Sequence, residues 1–200
     1  MSLTRLDAIN NILTHAGENP VVTLADSGTN DVDLAETVLD NSIKQILSYG
    51  LGFNTETKTF ARNSDNKIPI SSNILHFTPT NEDTYRKLVR RGNFLYDKDE
   101  NSFEFEEDVE LSVTYNWDFA EMPVDTQWWI IYHAARVYQM QTQRSREADA
   151  YLAEKEAMAK ARAMQTDLRN RNSNYIQNFA NNIGWIGTRN RRWRRGIRYE

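Results

Sequence analysis

The stretch VELSVTYNWDFAEMPVDTQWWIIYHAARVY, residues 109–138, changes its hydrophobic period midway. Val109, Leu111, Val113, Tyr115 and Trp117 alternate with Glu110, Ser112, Thr114 and Asn116, the period of two of a half-buried strand. After Glu121-Met122-Pro123 the spacing becomes helical. Proline suits a first turn, where its missing N–H would have no partner, and Asp125 faces the positive end of the helix dipole. The pattern predicts a helix to about Gln143. Trp128, Trp129, Ile131, Tyr132, Ala135, Val137 and Tyr138 spread over most of its circumference, so it should be packed on several sides at the centre of the fold.

Upstream, Leu6, Ile9, Ile12, Leu13 and Ala16 recur at helical spacing between Thr4, an N-cap candidate, and Gly17, a stop followed by Pro20. An extended Val21-Val22-Thr23-Leu24 and a turn-rich Asp26 to Asn30 lead to a second amphipathic pattern, Ala35, Val38, Leu39, Ile43, Ile46 and Leu47, which ends at Gly50. Between that helix and Asp118 lie short strand candidates at Thr55–Phe60, Lys67–Ile70, Ile74–Phe77, Tyr85–Arg90, Asn93–Tyr96 and Phe103–Phe105, with turn clusters such as Arg91-Gly92 among them. Downstream, Ser145 is placed to cap a fourth helix to about Asn170, in which Tyr151, Met158, Ala161, Met164 and Leu168 form a narrow apolar stripe suited to an edge or subunit boundary. Asn172 to Asn182, rich in Asn and uncharged, reads as a flexible lead into the tail.

The expected class is α+β: a helical bundle of about four helices with an inserted antiparallel β lobe and an extended C-terminal arm. The division is residues 1–52 and 120–172 for the bundle, 53–119 for the β insertion and 173–200 for the arm.

Composition narrows the chemistry. Among 200 residues there is no cysteine, which excludes disulfides, thiolate-bound zinc and cysteine nucleophiles. A mean hydropathy of −0.71 suits an extended subunit with much surface. The opening MSLTRLDAINNILTHAG lacks the apolar run of a signal peptide, and no stretch approaches the roughly 20 apolar residues of a membrane span, so a soluble protein without membrane insertion is expected. Residues 173–200 hold six arginines and one acid, Glu200. Of the 24 basic and 28 acidic residues, 18 and 27 therefore lie upstream, a balance of −9.

No catalytic, cofactor-binding or metal-binding residues are expected. His15, His76 and His133 have no ligand partners at metal-site spacing, and with eight glycines there is no P-loop, nucleophile elbow or dinucleotide fingerprint. Asp97-Lys98-Asp99-Glu100-Asn101 imitates the start of a calcium loop, but Ser102 stands where glycine is required and Asp108 where a bidentate Glu is required. It reads as a turn between Tyr96 and Phe103. Glu104, Glu106, Glu107, Asp108 and Glu110 read as the solvated side of a sheet, with an acidic lining that repels passing DNA as the more specific alternative.

The candidate binding segment is the tail: Trp185, Arg189, Arg191, Arg192, Trp193, Arg194, Arg195, Arg198 and Tyr199. Arginine pairs with phosphates or bidentately with carboxylates, while tryptophan and tyrosine stack on bases or anchor in protein pockets. The composition therefore suits either a protein partner or nucleic acid.

Three segments carry a family resemblance: LDAINNILTHAGENPVVTL at 6–24, YGLGFNTET at 49–57 and DFAEMPVDTQWWIIYHAARVY at 118–138. In order and spacing they resemble the tail tubular protein A family, the adaptor or gatekeeper subunits of T7-like podoviruses, over about Leu3 to Arg146. The resemblance implies a structural, non-enzymatic virion protein, made in the host cytoplasm and built into the viral tail. It implies a homo-oligomeric ring of twelve copies beneath the portal protein, with a tail nozzle of tail tubular protein B type below and tail fibres near that joint. DNA would pass through the lumen without sequence-specific binding. Family adaptors dock through C-terminal elements that reach onto the portal, which makes Trp185 and the arginine cluster a portal-docking arm. The alternative is a nucleic-acid-binding protein that uses the same tail.

Overall fold

The computed structural model describes residues 2–24, 30–80 and 86–171. Among the described residues four helices, α1 (Arg5–His15), α2 (Asn30–Leu47), α3 (Val124–Thr142) and α4 (Arg146–Asn170), enclose the larger core. The described residues after α2 include five antiparallel strands: β1 (Thr55–Phe60), β2 (Ile74–Pro79), β3 (Leu88–Arg91), β4 (Phe94–Asp97) and β5 (Val109–Tyr115). This is the α+β class that the change of period predicts.

Local chemistry sets the helix ends. The Thr4 hydroxyl accepts from the Asp7 amide at 3.1 Å, and the Asp7 carboxylate accepts from the Thr4 amide at 2.9 Å, a reciprocal cap. At the other end Gly17 takes φ +74°, and the amides of Gly17 and Glu18 close back on the Thr14 and Leu13 carbonyls. A left-handed residue at this position is what glycine supplies without strain. Ser145 caps α4 through the Ala148 amide. In the loop after α1, Val21 is held by both ends of the Asn10 amide, at 2.8 and 2.9 Å.

Helix α3 packs against α1, α2 and α4. Trp129, Ile130, Ile131, Ala134, Ala135 and Tyr138 are buried along it. Gln127 is also fully buried. Its Oε1 accepts from the Leu3 amide at 3.0 Å, while Nε2 donates to the Phe119 carbonyl at 2.7 Å and reaches Ser2 Oγ and the Leu3 carbonyl. One side chain thereby ties the N-terminal segment, the short 3-10 turn Phe119–Glu121 and α3 together.

Strand β5 is the middle of a three-stranded sheet, β1-β5-β2, and buries Val109, Leu111 and Val113. The β3–β4 hairpin contributes Leu88 and Leu95 to the same second core, alongside Ile68, Ile70, Ile74 and Phe105. Its two-residue connection, Gly92-Asn93, has Gly92 at φ +62°.

Several strand expectations need correction. Lys67–Ile70 and Phe103–Phe105 are not strands but make single bridges, Lys67 to Glu104 and Pro69 to Phe94. Pro69 has no N–H with which to continue a ladder, and Asn66 breaks extended geometry at φ +59°. The strand expected at Tyr85–Arg90 is β3, Leu88–Arg91; Tyr85 lies outside the described residues. Strand β5 stops at Tyr115, and Trp117 beyond it is 42% exposed. Of the acidic run only Glu110 lies on a strand. Glu104, Glu106, Glu107 and Asp108 are exposed on the loop that enters β5.

Candidate docking surface

Every residue of the arm, Trp185, Arg189, Arg191, Arg192, Trp193, Arg194, Arg195, Arg198 and Tyr199, lies outside the described residues, as does Asn172 to Asn182. What the structure describes is the arm's root. Arg171 donates to the Gly50 carbonyl at 2.6 Å and pairs with Asp167 at 2.8 Å, while Asp167 accepts from the Gly52 amide. Two charged residues at the end of α4 thus clasp the bend between α2 and β1.

The two glycines of that bend serve different ends. Gly50 sits at φ +69°, where a side chain would be strained. At Gly52 an added Cβ would fall 2.8 Å from Arg171 Cγ and 2.9 Å from the Asp167 carboxylate. The clasp was not read from the sequence, although two glycines spaced by one residue in YGLGF mark a backbone that something approaches closely. Next to it, Tyr49 lies on Trp129 at 5.4 Å, with the Lys160 ammonium over both rings.

Most of the apolar stripe read on α4 faces outward, as on a helix at an edge, and the helix buries other residues against the core. Leu152, Ala159 and Ala163 are the residues it buries, with Met164 half-buried beside them. Tyr151, Met158 and Leu168 are 53%, 49% and 54% exposed, and Ala161 is exposed with them. Small residues at the buried face let α4 approach α3 closely, which leaves its larger apolar residues outside.

Polar bonds fix the α3–α4 pair. Arg136 pairs with Asp149 at 2.6 Å and with Glu156 at 3.3 Å, and Glu156 also meets His133 Nδ1 at 2.8 Å. The hydrogen bond from His133, reinforced by Arg136, holds the Glu156 carboxyl below its ordinary range against the opposing effect of burial. Asp149 is lowered likewise by Arg136. Near the far end of the pair, Thr166 donates to Asp125 at 2.6 Å. Between the two helices opens a cleft of about 180 Å³, lined by Asp125, Trp128, Tyr132, Lys155, Met158, Ala159 and Arg162. Trp128 stacks on Tyr132 at 5.7 Å, and Tyr132 leans on His15, whose pKa is lowered by burial and by the nearby Lys155 charge.

The acids of the β lobe are engaged as structural groups or solvated. Asp97, 1% exposed, accepts from Arg86 at 2.7 and 2.8 Å and from the Asp99 amide at 2.8 Å, and its backbone closes on Ser102. That is the turn expected between Tyr96 and Phe103. Glu110 accepts from the Thr80 hydroxyl at 3.0 Å, and Asp108 lies 3.6 Å from Arg62. Burial, together with the charges of Asp31 and Glu18, pushes the Tyr138 phenol up to about 12, so it packs as a neutral aromatic ring.

The arrangement supplies exposed aromatic and apolar surface, a pinned root for a cationic segment and rigid helices that carry both. These are the means of non-covalent assembly. No curated protein matches the chain. A family model described as tail tubular protein matches residues 6–173, which takes in both sheets, α2, α3, α4 and all of α1 but its first residue. The chain belongs to the tail tubular protein family and is a structural protein of the viral tail.

Proposed function

We propose that this chain is a tail adaptor subunit, twelve copies of which form a ring that joins the portal protein to the tail nozzle and surrounds the DNA ejection channel. The observation that carries the reading is the pinned root: the Asp167–Arg171 clasp fixes where a basic, aromatic segment leaves a rigid helix. Trp185, Trp193 and Tyr199 supply anchors, and Arg189, Arg191, Arg192, Arg194, Arg195 and Arg198 supply charge-assisted bonds to carboxylates of the portal. Twelvefold repetition raises the effective concentration of each arm and multiplies a modest affinity.

The ring does no chemistry and takes no cofactor in this reading; DNA passes through it without sequence-specific contact, and tail fibres attach near the nozzle joint. Residues 1–52 and 120–172 act as one helical body and 53–119 as an inserted lobe. Their separate clusters of buried residues support this division.

Deletion of Asn190 to Glu200 tests the arm. The helical fold, followed by circular dichroism, is expected to persist while the protein no longer stays on portal particles. Normal adaptor-bearing particles would refute the assignment. The arginines favour one second reading, direct binding of nucleic acid. Appreciable DNA affinity that declines steeply with salt would support it, whereas weak binding is expected of an arm reserved for protein.

A further inference from the structure

We propose that the cleft between α3 and α4 receives the acidic loop, residues 104–108, of a second copy of this chain, so that neighbouring subunits join head to tail. The cleft, about 180 Å³, has the stacked Trp128 and Tyr132 on its α3 side and Lys155 and Arg162 on its α4 side. The carboxylate that lines it, Asp125, accepts from the Thr166 hydroxyl at 2.6 Å. The Lys155 ammonium stands 5.3 Å from the ring of the exposed Tyr151, which keeps its charge at the surface. Among the described residues neither Lys155 nor Arg162 forms an ion pair, and no acid stands three or four residues from either on α4 to neutralise it.

The loop is the opposite in charge. Phe105 is buried in the second core and its amide donates to the Asn66 carbonyl at 2.9 Å, which fixes the loop at its middle. Asp108 is held near Arg62. Glu104, Glu106 and Glu107 are exposed, and among the described residues their carboxylates have no cationic partner. Lys155 and Arg162 are two turns apart on α4, about 10 Å along its axis. The stretch from Glu104 to Glu107 reaches at most about 10 Å, so the loop has the length to set one carboxylate on each cation.

Cleft and loop belong to different cores of one chain. They are complementary and not identical, so a copy whose loop fills the next one's cleft leaves its own cleft open to a third. Such a contact repeats and closes into a ring where the rotation allows. The first 172 residues hold 18 bases against 27 acids, so copies repel one another except where a cationic site meets an acidic one; charge therefore selects this orientation. Docking also covers Met158, which lines the cleft and is 49% exposed. The inference rests on the reading of the chain as a ring subunit and names the surfaces that join.

Charge reversal tests the contact in the full chain, followed by sedimentation of the concentrated protein and by electron microscopy on portal particles. Glu104→Lys with Glu107→Lys, or Lys155→Glu with Arg162→Glu, is expected to weaken self-association at least about tenfold, because like charges then face each other. A chain with all four substitutions keeps the native net charge and is expected to associate as the native chain does, which a merely misfolded variant would not. If the four together associate no better than either pair, the proposal is overturned. It is equally overturned if only the cleft pair impairs assembly, since the cleft then serves an acidic partner other than a second copy. Rings that form undiminished in every variant overturn the contact and leave the ring reading standing, whereas a native chain that forms no ring, alone or on portal, overturns both.

Discussion

Gln127 looks like a surface residue in the sequence and is among the most buried in the structure. Its amide satisfies groups on Leu3 and Phe119. Gln127→Leu is expected to cost about 2 kcal/mol, because those buried groups lose their partner. In a chain of this size that lowers Tm by roughly 4–8 °C in a thermal melt. Arg86→Ala should cost more, about 3 kcal/mol by urea titration, because it strips the main cation from the buried Asp97 carboxylate. Gly50→Ala is expected to cost about 1 kcal/mol through its positive φ alone, since its nearest neighbours, at 3.5 Å, leave room for a methyl group. The caps Thr4 and Ser145 were legible because cap chemistry is local. Gln127, Arg86 and Asp97 were not, because their roles depend on partners brought close only by folding.

Elements were legible where periodicity was long. All four helices stand where apolar spacing predicts, and β5 is found where alternation is cleanest. Lys67–Ile70 and Phe103–Phe105 misled because an apolar pair beside a proline or a left-handed asparagine imitates a strand without sustaining a ladder. The outward stripe of α4 was legible, but the face it buries, Leu152, Ala159 and Ala163, was not, since alanine marks a buried helix face less visibly than Met or Tyr. The α3–α4 pair carries its own pH dependence. Asp149 and Glu156 both ionise more readily in the folded chain than in the unfolded one, so their contribution is full above the ordinary carboxylate range and is lost as pH falls through the lowered folded values. Urea unfolding between pH 6 and pH 3 should show this loss, and Glu156→Gln should flatten that part of it.

Across the whole molecule, two clusters of buried residues lie on either side of a bend built from Gly50 to Asn54. Asn54 crosses it, donating to the Leu47 carbonyl at 3.0 Å and to the Tyr115 carbonyl at 2.9 Å. Damage on one side should therefore be felt unequally. Amide exchange in Arg86→Ala is expected to quicken over β3, β4 and β5 well before α1 and α3, whereas Gln127→Leu should reverse that order; uniform quickening would show a single cooperative unit. The same bend receives the end of α4 through Asp167 and Arg171. In mechanical terms the clasp is a strain relief. Tension applied beyond residue 171 passes sideways into the hinge between the two cores, so a load on the tail would be borne by both bodies before it could fray the helix from its end.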